Sequence, residues 1–139
     1  MSTSTRARLL RLRIAGVLSL ILGLGFGIPA AYGAWYFAQH DAVWQFLGFP
    51  TNGDGPFVQW GIPNGVPVMV AFAVVCAADV VCGALLLSGR RAGAVLAVVL
   101  LPIGLVFWIG FLLPYAFPLG IARAVLVLWP SRSGSAGTR

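Results

Sequence analysis

Apolar residues run through this chain in long uninterrupted blocks, and polar residues are largely confined to the gaps between them. Four blocks can be drawn, at about 14–37, 66–87, 92–111 and 114–129. A run of about 20 apolar residues, rising 1.5 Å per residue as a helix, matches a hydrocarbon core about 30 Å thick. Each block is therefore predicted to be a membrane-spanning helix, and the fold class an all-α, integral membrane four-helix bundle. The third and fourth blocks share one apolar stretch, divided by the turn-like LLPYAFPLG, and the fourth is the shortest.

The gaps set the threading. Arg6, Arg8, Arg11 and Arg13 precede the first block, Arg90 and Arg91 join the second to the third, and Arg132 and Arg139 follow the fourth. The connection at 38–65 holds Asp41 and Asp54 and no basic residue. Because cytoplasmic loops are enriched in Lys and Arg, this asymmetry predicts both termini inside the cell, the 38–65 loop outside and an even number of spans. Residues 1–13 then form a basic cytoplasmic N-terminus, 14–130 the membrane domain and 131–139 a disordered cytoplasmic tail. A competing reading treats RARLLRLR and its apolar run as a secretory signal peptide cut after Gly33 or Ala34. The run continues through WYFA and exceeds the usual signal core, so the segment is read as a retained span.

The external loop carries turn signals, FPTNGDGPF and GIPNG, and the aromatics Trp44, Phe46, Phe49, Phe57 and Trp60. Two accounts fit: an aromatic belt at headgroup level, with QHDAVWQFLG as a short surface helix, or a cap that packs over the bundle or docks a partner. Trp35, Trp44, Trp60, Trp108 and Trp129 are the expected interface aromatics.

Composition agrees with a membrane protein: 60% of residues are hydrophobic and 9% charged, against about 25% charged in soluble domains. The net charge of +6 is gathered at the ends of apolar blocks rather than striped along a soluble surface. It therefore points to topology and anionic lipid, not to nucleic acid. All nine basic residues are Arg, which with the abundant Gly, Ala and Val looks like the product of a GC-rich bacterial genome, and a bacterial inner (plasma) membrane is the expected location.

Two charges interrupt the blocks. Asp79 lies about 20 Å into the second span, where insertion of an acid costs about 2.5–3.5 kcal/mol. Its helical neighbours Val75, Cys76, Cys82 and Gly83 are mostly small, so another helix can come close and the carboxylate should face inward. Arg123, flanked by Ala122 and Ala124 with Gly120 one turn before, is the one basic residue inside a span, at about 14 Å depth. An ion pair between Asp79 and Arg123 is expected, the alternative being separate snorkelling of each group. Such a pair fixes helix register more readily than it carries protons.

Other chemistry is sparse. Cys76 and Cys82 are about 9 Å apart along one helix and cannot bridge each other. With Asp79 they do not make a metal site, because no His sits in any span and three or four ligands must converge. The same lack argues against a bis-His haem. His40 beside Asp41 is the one His, with no serine elbow or carboxylate pair, so neither catalysis nor a cofactor is expected. The first span offers a stripe of small residues, Gly23, Gly27 and Ala31, which with Gly83 reads as helix-packing surface. Pro29 should free the Gly25 carbonyl and kink that span. The function expected from these features is a non-enzymatic accessory or scaffolding subunit that packs against membrane lipid and other membrane proteins or itself. The alternatives are a small oligomeric transporter or channel using Asp79, or a lipid- or quinone-binding protein.

Overall fold

The computed structural model describes residues 3–46, 49–50, 55–63 and 65–129, and over these the chain is almost wholly helical. In order come α1 (Thr3–His40), the two-residue strands β1 (Gln45–Phe46) and β2 (Phe49–Pro50), α2 (Pro56–Gln59), α3 (Val66–Leu87), α4 (Arg91–Gly110) and α5 (Ala116–Leu128). Three of them, α1, α3 and α4, are long and apolar enough to cross a membrane. α5 has 13 residues and is therefore about 20 Å long, roughly 10 Å short of the hydrocarbon thickness. The expected tail at 131–139 lies outside the described residues.

α1 is longer than the apolar block that announces it. Its 38 residues extend about 57 Å, and it begins at Thr3, so the arginine-rich segment is helical and continuous with the span. Arginine is a good helix former, and its charge ends the apolar run without ending the helix. α1 also continues through Pro29. It stops where Asp41 adopts φ 49° and donates its N–H to the Phe37 carbonyl at 2.9 Å, an αL cap that Asp tolerates better than most residues. Among the described residues of QHDAVWQFLG, the expected short surface helix does not form. Its first residues finish α1, and Gln45 and Phe46 pair antiparallel with Pro50 and Phe49.

The two tight turns between the later helices share one geometry. After α3, Gly89 N–H donates to the Leu86 carbonyl and Arg90 N–H to the Leu85 carbonyl, both at 3.0 Å. After α4, Leu112 N–H donates to the Ile109 carbonyl at 3.1 Å and Leu113 N–H to the Trp108 carbonyl at 2.9 Å. Both are Schellman caps, which need a left-handed residue at the same position. Gly89 supplies it at φ 69°, and Leu112 at φ 53°.

α1 packs most extensively on α3 and also meets α5, while α4 meets α3 and α5. The α1–α3 seam rests on glycine. A Cβ at Gly23 would stand 2.6 Å from the Cys76 carbonyl oxygen, and one at Gly27 would stand 2.8 Å from Cys76 Cβ. Gly16 and Gly83 face each other across the same seam, where a Cβ on either would come within 3.0 Å of the other's carbonyl oxygen. The stripe of small residues is thus spent within the chain, except that Ala31 is exposed.

Around this core, large aliphatic side chains point outward: Ile28, Val74, Val95, Val106 and Ile121 are each more than half exposed. A soluble monomer does not leave so continuous an apolar coat in water. The segment around α2 folds inward instead. Pro56 opens its single turn at the first helical position, where a missing N–H costs nothing. Phe57 is buried in one cluster with Phe72, Trp108, Phe111 and Ala116, its ring seated directly on Gly110. This part of the connection therefore lies over the α4–α5 turn, at the end where α5 is too short.

Candidate functional site

Asp79 and Arg123 meet. Asp79 projects from the middle of α3 and is 3% exposed, and Arg123 projects from α5 and is fully buried. Arg123 Nη1 donates to Asp79 Oδ1 in an ion pair, and to Ser19 Oγ of α1 at 3.4 Å. The Ser19 hydroxyl in turn donates to Cys82 Sγ at 3.8 Å, and the Cys82 thiol to the backbone carbonyl of Gly93 at 3.4 Å. One polar chain therefore joins four of the five helices, all but α2: Arg123 from α5, Asp79 and Cys82 from α3, Ser19 from α1 and Gly93 from α4.

Local sequence explains why these groups can converge. Gly93 brings α4 against the end of α3, where a Cβ would stand 2.7 Å from the Leu86 amide nitrogen. Gly120, one turn before Arg123, receives the six-membered ring of the Trp108 indole, so that α4 and α5 approach closely there. Pro118 lies in the first turn of α5, where an intrahelical N–H is not needed.

Within a low-dielectric interior a carboxylate and guanidinium that have left water are held by each other. Nη1 uses both its hydrogens, while Arg123 Nε and Nη2 have no hydrogen-bond partner among the described residues. The pair is thus fully enclosed but only partly satisfied, an arrangement in which losing either member strands the other charge. Such a unit can lock helix positions. Among the described residues no group of three or more His, Cys, Asp or Glu gathers where a metal ion could be held. Cys76 and Cys82 are both free thiols. His40 Nδ1 donates its N–H to the Tyr36 carbonyl at 3.1 Å, and the ring stacks on that of Tyr36, at the surface and far along α1 from the ion pair.

The tryptophans divide. Trp35, Trp60 and Trp129 are more than half exposed, and Trp44 packs edge-on against Tyr32 with centroids 4.7 Å apart. Trp108, expected with them, is instead 2% exposed and fills the space between Gly104 and Gly120 beside Phe117. The facing glycines leave a slot for an indole, so its ring packs inside rather than at a headgroup boundary. Ser19 and the Gly93 carbonyl are the members of the polar chain that residue types alone did not single out.

No family model, curated protein or solved structure matches this chain.

Proposed function

We propose that this is a small non-enzymatic integral membrane protein that serves as an accessory or scaffolding subunit, receiving a transmembrane helix of another membrane protein. The observation that carries the reading is a groove of about 490 Å³ between α1 and α3, open on the outer face and lined by Ala31, Ala34, Trp35 and Ala38 of α1 and by Val66, Val70, Ala73, Val74 and Ala77 of α3. Lipid tails pack on any apolar surface, but a row of alanines lets a second backbone approach closely, which is how helices associate where no hydrophobic force drives them together. The Asp79–Arg123 pair, wholly enclosed, acts in this reading as a clamp that keeps the groove-bearing helices in register.

The proposal includes four crossings, with α5 as a short fourth span, in a bacterial plasma membrane with both termini cytoplasmic. In support, Arg8 and Arg11 of α1, Arg90 and Arg91 of the α3–α4 turn and Trp129 after α5 line one common pocket, so the arginine groups gather at one end, as the charge rule requires of the cytoplasmic side. A fourth span of this length is accommodated by local thinning or tilt. Cysteine placed at the exposed Gln59 should react with an impermeant thiol reagent in intact cells; reaction only after lysis would reverse the orientation.

The partner is tested by a photo-crosslinking residue at Val74, in the groove, and another at Val95, on α4. The reading expects a discrete adduct with one other membrane protein from position 74, none from 95, and loss of the adduct when Ala77→Trp fills the groove without lowering thermal stability. A second copy of this chain as the sole adduct, or lipid alone, would overturn the accessory role.

A further inference from the structure

At the end of the molecule opposite α2 lies a pocket of about 90 Å³ between the first turns of α1, the α3–α4 turn and the end of α5. That is several times the roughly 10–15 Å³ one water needs. Arg8, Arg11, Arg90 and Arg91 all line it. We propose that this pocket is a binding site for the phosphate of an anionic phospholipid headgroup. The inference is independent of what occupies the alanine groove and of which side of the membrane this end faces.

Four arginines line the pocket and no acidic residue does. The chain has three acidic residues, Asp41, Asp54 and Asp79. Asp79 is taken by Arg123, Asp41 follows the far end of α1, and Asp54 lies outside the described residues. The residues after Trp129 add Arg132 and Arg139 and no acidic side chain. Of the four arginines, Arg11 has one nearby acceptor, the Trp129 carbonyl at 3.3 Å from its Nη1. Among the described residues no acidic side chain is available to neutralise the four arginines.

The backbone adds to the attraction. α4 starts at Arg91 with Arg90 as its N-cap and has no side-chain cap, so the positive end of a 20-residue helix opens beside the pocket. Uncapped N–H groups and the helix dipole favour an anion at such a terminus. Leu12, Leu126 and Val127 complete the lining on the side toward the apolar spans, where the acyl chains of a lipid continue and a free phosphate has nothing to place. Basic pockets between membrane helices at one leaflet are suited to anionic lipid headgroups by the same physics.

The test uses the full chain in a mild detergent, with thermal unfolding followed as dioleoylphosphatidylglycerol is titrated in, and with dioleoylphosphatidylcholine and inorganic phosphate in parallel. The expected result is a saturable rise in unfolding temperature with phosphatidylglycerol alone. Arg90→Gln with Arg91→Gln should raise the half-saturating concentration roughly tenfold. Arg6→Gln with Arg13→Gln removes the same charge from another face of α1 and should leave it within about twofold. Should the Arg90/Arg91 variant fail to fold, Arg8→Gln examined by native mass spectrometry should show lower retention of one bound phosphatidylglycerol. Equal losses in the two double variants would mean a diffuse field rather than a site. Equal protection by phosphatidylcholine, or by inorganic phosphate, would overturn the anionic lipid as the ligand.

Discussion

Along the seam between α1 and α3, backbones touch through Gly16, Gly23, Gly27 and Gly83; where α5 joins the other helices, apolar packing is joined by polar ties centred on Arg123. α5 is 13 residues long, is entered through a turn that forces Leu112 to φ 53°, and has no side-chain cap at its start. Besides the packing of Ala116, Phe117, Leu119, Leu126 and Val127 on the two apolar cores, it is held by the Arg123 pair with Asp79, the hydrogen bond to Ser19, the Trp108 indole on Gly120 and the Arg11 bond to the Trp129 carbonyl. In lipid, helix association draws on close packing and polar contacts. Long helices accumulate packing along their length, whereas a short helix reached through a strained turn leans on a few strong contacts.

The comparison breaks most visibly at Arg123. Arg123→Leu should cost about 3–5 kcal/mol by stranding Asp79, and hydrogen exchange should accelerate across α5 while the α3 amides facing α1 stay protected. Uniform acceleration over all helices would place α5 on the same footing as the seam. Next in size is the seam itself. Gly23→Leu drives a side chain into the Cys76 carbonyl and should lower stability by about 1–3 kcal/mol, with α1 and α3 loosening first; an unchanged unfolding temperature would show that the backbones are not in contact there.

How much of this was written in the residues follows from what each feature encodes. The long helices were legible because about 20 apolar residues in a row have few other uses, and Asp79 and Arg123 were a natural pair because the spans hold no other charges. Gly23 and Gly27 could be read as a contact surface, but not as one facing α3 of the same chain, since a small residue does not name its neighbour. Ser19 was invisible because a lone hydroxyl in an apolar run carries no distinctive pattern, and Gly93 takes part through a carbonyl that every residue has. The burial of Trp108 depends on Gly120, in another helix, and α1's extra turns depend on arginines that interrupt hydropathy but not helicity.

Two smaller changes sharpen the contrast. Leu112→Gly relieves the left-handed position that Gly89 already occupies in the equivalent turn after α3, and should raise stability by up to about 1 kcal/mol; thermal unfolding that does not rise would mean the turn is unstrained. Ser19→Ala removes both the acceptor for Arg123 and the donor to Cys82. Polar contacts between membrane helices average about 0.6 kcal/mol, so the loss should be near that value, well below the cost of Arg123→Leu. A loss as large as that of Arg123→Leu would shift the centre of the clamp from the ion pair to the serine.

The central claim is that Asp79 and Arg123 are coupled and structural, and a double-mutant cycle of unfolding free energies in detergent addresses it most directly. Asp79→Leu and Arg123→Leu should each lower stability by about 3–5 kcal/mol, and the variant carrying both should recover most of the loss, because replacing a whole buried pair by apolar groups is close to neutral. Strictly additive losses, with no coupling in the cycle, would contradict the clamp.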